Sequence, residues 1–177
     1  MQKYILMLYG PMCSGKSTIA KLFLEKIPGV FHLSWDKIKR MISQYTPEKY
    51  MGFMNSIMVD VAQSAIKNWF PILIEWNVWL QNEVRKKYES LAKENWYTFI
   101  EINIEAPLEI LEERFTERVN TAIEKWSRLT VTTIDQMMSR YNGYMKYKKN
   151  TILTLDSSTL SSEEIYNHIV KIITDNE

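Results

Sequence analysis

Apolar residues fall into two kinds of run along this chain. Short unbroken runs, of a length that suits buried strands, recur at 3–9 (KYILMLY), 30–33 (VFHL), 71–76 (PILIEW), 97–104 (YTFIEINI) and 151–155 (TILTL). Between them the apolar residues are spaced as on one face of a helix. Ile19, Leu22, Phe23 and Ile27 are so placed in STIAKLFLEKI. Tyr50, Met54, Ile57, Val61, Ala65 and Trp69 form a stripe along PEKYMGFMNSIMVDVAQSAIKNWF, and Ile165, Ile169 and Ile172 along SSEEIYNHIVKII. The last helix opens on a capping box, Ser161 with Glu164. Strands separated by helices require crossover connections, so the pattern predicts a parallel sheet covered on both faces. Neither a repeat nor a linker interrupts it, and a single domain over 1–177 is expected. The segment 120–133 (NTAIEKWSRLTVTT) has the weakest core pattern and is expected to be a mobile lid.

The first strand leads into YGPMCSGKST, which fits G-x-x-x-x-G-K-[ST] through Gly10, Gly15, Lys16 and Ser17. Strand, loop and helix follow in the order this motif needs. Gly10 and Gly15 allow backbone conformations that a side chain forbids. The loop from Gly10 through Pro11, Met12, Cys13, Ser14, Gly15, Lys16 and Ser17 to Thr18 can then turn its amides toward phosphate oxygens at a helix N-terminus. Lys16 is placed to reach the outer phosphates of a nucleotide, and the Ser17 hydroxyl suits a magnesium ion. Cys13 is read as an ordinary loop position, since a reactive thiol needs a depressed pKa.

Ligands of open parallel sheets bind beyond the carboxyl ends of the strands, which directs attention to the residues after each strand. After the second, Asp36 suits either a general base for an attacking hydroxyl or a helix N-cap, and one residue can serve both roles. Lys39 and Arg40 follow within a turn and are candidates for holding an acceptor, or else a solvated basic face. At the third strand, Glu75 is a candidate magnesium-associated carboxylate and Asn77 a candidate substrate contact. After the fourth, Arg114 and Arg118 share a helix face, with Arg128 in the lid segment. Arginines carried by a lid can neutralise charge on a moving phosphoryl group; pairing with Glu109, Glu112, Glu113 and Glu117 is the plainer reading. The DSSTLSSEE segment after the fifth strand can close over an adenine base.

Composition narrows the setting. An apolar share of 46% and a charged share of 24% are ordinary for a globular chain. The single cysteine excludes an internal disulfide, so a reducing cytoplasm is the expected compartment. No run reaches the length of a membrane span, and the first apolar run leads into the phosphate loop rather than a leader sequence. A net charge of +1 gives no global attraction for nucleic acid. One local excess does stand out, namely Lys125, Arg128, Arg140, Lys146, Lys148 and Lys149 against Asp135 alone within 125–149. Trp126 and Tyr141 there could stack bases.

The phosphate loop, the run APLEILEERFTER, the helix TIDQMMSRYNGYMKY with its Met-x-x-x-Tyr spacing, and ILIEWN followed by Arg85 resemble one family over nearly the whole length. It is the group of small P-loop kinases containing polynucleotide 5′-hydroxyl kinases, zeta toxins and chloramphenicol phosphotransferases. The resemblance implies a three-layer α/β P-loop NTPase fold with a five-stranded parallel sheet and a helical lid. It implies that Asp36 is the general base. The polynucleotide kinases place an arginine three residues after that base, where this chain has Lys39; arginine and lysine differ in fork geometry. The expected activity is transfer of the γ-phosphoryl group of ATP, with Mg²⁺, to a hydroxyl. Lys16, Asp36, Arg114, Arg118 and Arg128 would be catalytic. The acceptor would be a small molecule of nucleotide, sugar or antibiotic class, or alternatively a polynucleotide 5′ end. A non-catalytic nucleotide-binding module is the third reading. A guanine-reading N-K-x-D is absent from the sequence.

Overall fold

The computed structural model describes residues 3–76, 82–124, 129–148 and 153–175. Its five strands are β1 (Tyr4–Tyr9), β2 (Phe31–Ser34), β3 (Ile72–Glu75), β4 (Thr98–Glu105) and β5 (Leu153–Asp156). All pair in parallel, in the order β2-β3-β1-β4-β5. The helices are α1 (Lys16–Lys26), α2 (Trp35–Lys39), α3 (Pro47–Lys67), α4 (Asn82–Glu94), α5 (Leu108–Glu124), α6 (Ile134–Tyr147) and α7 (Ser162–Asp175). This is the expected α/β P-loop NTPase fold.

The unbroken hydrophobicity of β1 has a direct cause. Tyr4, Leu6 and Leu8 pack on the α1 and α7 face with Phe23, Ile165 and Ile169. Ile5 and Met7 point to the other face and pack with Met58, Ala62 and Tyr88 of α3 and α4. A strand at the centre of three layers has no face to leave polar. A smaller third cluster joins Leu111 and Phe115 of α5 to Val131 and to Met137 of α6. Ala122 is buried as well. The proposed lid segment therefore contributes core at both of its described ends, and α5 runs into it as far as Glu124; residues 125–128 lie outside the described residues.

Two helix faces differ from the sequence reading. On α3 the fully buried positions are Met54, Met58 and Ala62, with Ala65 and Ile66 close behind, whereas Tyr50, Ile57 and Val61 are only half-buried. Trp69 lies beyond the helix end with φ 66° and is 60% exposed. Steps of nearly four residues drift off a helix that turns every 3.6, so a stripe drawn from 50 to 69 leaves the core face. On α7, Ile173 takes the buried place expected for Ile172, which packs at the margin of the same cluster.

The capping box forms as expected. Ser161 Oγ accepts from the Glu164 amide at 3.2 Å, and the Ser161 amide donates to Glu164 Oε2 at 2.8 Å. Ser161→Ala should therefore lower the melting temperature by about 3 °C, the scale of a lost N-cap in a chain of this size. Thermal unfolding followed by circular dichroism measures it.

β1 connects outward to β2, the chain returns through β3, and then crosses β1 to reach β4. The direction of winding changes over the carboxyl end of β1, which opens a crevice there. The loop after β1 fills that crevice. Gly10, at φ 138°, is forced by its neighbour: a Cβ would lie 2.0 Å from the Ile104 carbonyl oxygen of β4.

Candidate active site

The loop between β1 and α1 is shaped from behind. Gly10, Pro11 and Ser14 are buried beneath the cavity wall, while Met12, Cys13, Gly15, Lys16, Ser17 and Thr18 line it. Gly15 caps α1 in a left-handed conformation at φ 90°. Lys16 folds back over its own loop, donating to the Pro11 carbonyl at 2.6 Å and to Ser14 Oγ at 3.3 Å. Burial pushes its ammonium down from the ordinary 10.5 to about 8, against the pull of Glu75, Cys13 and Asp36, and Arg118 adds to the depression. Cys13 packs against the α5–α6 cluster.

Ser17 Oγ donates to Glu75 at the end of β3. Burial alone would raise the Glu75 carboxyl. Hydrogen bonds from His32 and Ser17, with the charge of Lys16, outweigh it and hold the group below its ordinary range. His32 Nε2 lies 3.3 Å from Glu75 Oε2 and its Nδ1 lies 3.0 Å from Lys37 Nζ. Two hard oxygens, Ser17 Oγ and an ionised Glu75, thus stand side by side at the phosphate loop. That donor pair fits Mg²⁺, which takes one or two protein oxygens and completes its shell with phosphate and water.

Asp36 sits in the first turn of α2 and lines the same cavity. The residue at the N-cap is Ser34, so Asp36 does not serve as the cap. Asp36 pairs with Lys39 one turn on, and Lys39 lines the cavity too. Arg40 ends the helix, exposed and outside the cavity lining. Asn77 and Arg128 lie outside the described residues.

Arg114 and Arg118 of α5 both reach the cavity but differ in surroundings. Arg114 donates to Ser157 Oγ at 2.9 Å and to the Ser157 carbonyl at 2.8 Å, with the Cys13 carbonyl at 3.5 Å. Ser157 in turn donates through Oγ to the Glu105 carbonyl at 2.9 Å. The Arg114 guanidinium therefore ties the β5 loop to the phosphate loop. Arg118 is exposed and close enough to Lys16 to disfavour its charge.

Arg140 of α6 was legible in sequence only as part of a basic excess, yet it lines the phosphate cavity of about 450 Å³. It also lines a second cavity of about 710 Å³, which shares Lys39, Thr130, Val131 and Arg140 with the first. α6 is held in place from its far end, where Tyr144 donates to Glu105 and Lys148 Nζ donates to Glu105 Oε2 at 2.8 Å. The available signal was the helix face: Arg140 borders the packed Met137 and Tyr144, with Gln136 and Ser139 farther round. Arg85 stands apart from the site. Its Nε donates to Glu101 Oε1 at 2.7 Å and its Nη1 to Glu89 at 2.8 Å, bracing α4 on β4.

A family model described as an AAA domain matches residues 5–144. The chain belongs to this family. Its fold is that of several small P-loop kinases. The APS kinase of Mycobacterium tuberculosis, solved with AMPPNP and APS, superposes with a TM-score of 0.64 at 17% identity, covering 98% of this chain and 99% of that one. A sugar kinase from Janibacter sp. HTCC2649 gives 0.63 at 14% identity, over 96% and 93%. The tunicamycin resistance protein of Deinococcus radiodurans gives 0.58 at 15%, over 97% and 96%. No curated protein matches the sequence. Among the described residues of this AAA-domain chain, no helix is long and apolar enough to cross a membrane.

Proposed function

We propose that the protein is an ATP-dependent kinase that transfers the γ-phosphoryl group to a hydroxyl of a small molecule. The observation that carries this is the pair of cavities sharing one wall: a phosphate cavity bearing Lys16, Ser17, Glu75 and Asp36, and beyond it an aromatic-lined cavity of acceptor size. A donor and an acceptor seated there would meet at the wall formed by Lys39 and Arg140, beside Asp36.

In the proposed reaction the loop amides and Lys16 hold the β- and γ-phosphates. Ser17 and Glu75 would hold Mg²⁺, which would supply charge neutralisation on the phosphate oxygens. Asp36 accepts the proton of the acceptor hydroxyl. The acceptor oxygen then forms its bond to the γ-phosphorus as the bridging oxygen leaves with ADP, so ATP and alcohol give ADP, a phosphomonoester and a proton. Arg118 and Arg140 are assigned to the charge of the transferred group; Arg114 positions the β5 loop against the nucleotide. Arg128 and Asn77 are proposed, from their places in the sequence, as a lid arginine and a substrate contact.

A small acceptor is favoured over a polynucleotide end because two basic residues of 125–149 are engaged elsewhere. Lys148 is spent on Glu105, and Arg140 points into the cavities. ADP formation should rise when a hydroxyl compound of the right class is added and stay at its resting rate with a 5′-hydroxyl oligonucleotide; stimulation by the oligonucleotide alone would reverse that choice. Glu75→Gln should raise the Mg²⁺ concentration needed for half-maximal turnover by at least about tenfold, since losing a direct oxygen should cost no less than losing an outer-shell partner. A magnesium titration of ADP formation checks it.

A further inference from the structure

The second cavity has a charge pattern of its own. Its Lys39 and Arg140 also line the phosphate cavity, where phosphates would claim them. The remaining described lining contains three rings, Trp35, Tyr45 and Trp76, two carboxylates, Glu48 and Asp135, and no basic side chain. Trp35 and Trp76 meet at 5.1 Å between centroids with planes tilted by 60°. Glu48 and Asp135 lie in the first turns of α3 and α6, where a negative charge complements the helix dipole. Asp36 adds a third carboxylate at the entrance from the phosphate side.

With Lys39 and Arg140 engaged by phosphate, the rest of this cavity disfavours anions and favours a cation beside aromatic rings, which attract positive charge through their quadrupoles. We propose that the phosphoryl acceptor is a hydroxyl-bearing organic cation, an amine with an aromatic or apolar body, its ammonium between Glu48 and Asp135 and its hydroxyl turned toward Asp36. This rests on the kinase reading and deepens it. The reaction stays balanced as above: the hydroxyl proton goes to Asp36, the new oxygen–phosphorus bond forms, and ADP departs. Nucleotides, sugar phosphates and polynucleotide ends would then not be preferred acceptors, since Glu48 and Asp135 oppose their charge.

The test is calorimetric titration of the full chain, with Mg²⁺ and ADP bound, using pairs of hydroxyl-bearing aromatic compounds matched in size and differing in charge. One member of each pair is an amine, the other a carboxylate or phosphate. Amines are expected to bind at least about tenfold more tightly, the scale of a hydrogen bond to a charged group. In Glu48→Gln/Asp135→Asn, both at exposed positions, that preference should fall to near unity, and Glu48→Lys should invert it. The same double variant should raise KM for an amine acceptor more than it lowers kcat. Equal or tighter binding of the anions, binding of neither series, or a preference that survives the double substitution overturns the inference. ADP that binds while any of these holds leaves the kinase reading standing; failure of ADP itself to bind overturns both.

Discussion

Lys16→Met is expected to lower phosphoryl transfer by about 10³-fold or more while making the nucleotide-free protein more stable at pH 7. The first effect is the loss of a preorganised cation from the site where charge develops on the phosphates. The second follows from the burial of the Lys16 ammonium, whose pKa falls from 10.5 to about 8. Between those values the folded protein binds fewer protons than the unfolded chain, so wild-type stability rises with pH across roughly 8 to 10.5. Below pH 8 the charged lysine is carried at a cost on the order of 3 kcal/mol, by the conversion of pKa shift into free energy. Methionine removes that cost, and its pH–stability curve should lack the rise. Denaturant unfolding at pH 7 and at pH 10 separates the two curves. A variant that is both inactive and less stable at pH 7 would mean that Lys16 holds the loop together rather than waits for phosphate.

Asp36→Asn should cut turnover by about 10²-fold or more, the scale of a lost general base, with ATP affinity little changed. Stability should move by no more than about 0.5 kcal/mol. Ser34 occupies the N-cap of α2, so no cap is lost, and the Asp36–Lys39 pair has its carboxylate about half exposed, where ion pairs contribute little. The measurements are steady-state kinetics beside a melting curve. Unchanged turnover with a lowered melting temperature would make Asp36 a structural residue of α2.

The strands and the phosphate loop were legible because their physics is local. A central parallel strand must be apolar on both faces, and a loop that folds around phosphate needs glycine where β4 approaches at Gly10. Helix faces were less legible over distance, since a small error in period moves Trp69 from core to solvent. The site was legible where a residue ends or closely follows a strand, as Glu75 and Asp36 do. It was illegible where function depends on two helices meeting. Arg140 faces both cavities only because α6 is tied to β4 through Tyr144, Lys148 and Glu105, contacts 39 and 43 residues apart in sequence. The aromatic cavity is likewise assembled from α2, α3, β3 and α6, and no single stretch announces it. The Ser17–Glu75 pair, 58 residues apart, joins a motif residue to a strand-end carboxylate, and neither stretch alone announces the contact.

The most direct test of the kinase reading follows the label from γ-labelled ATP with Mg²⁺ and a panel of hydroxyl compounds. Wild-type protein should place the label in an acceptor phosphomonoester, and Asp36→Asn should lose that product while still binding ATP. Label recovered only as inorganic phosphate, at a rate indifferent to every acceptor and to Asp36, would contradict phosphoryl transfer to a hydroxyl.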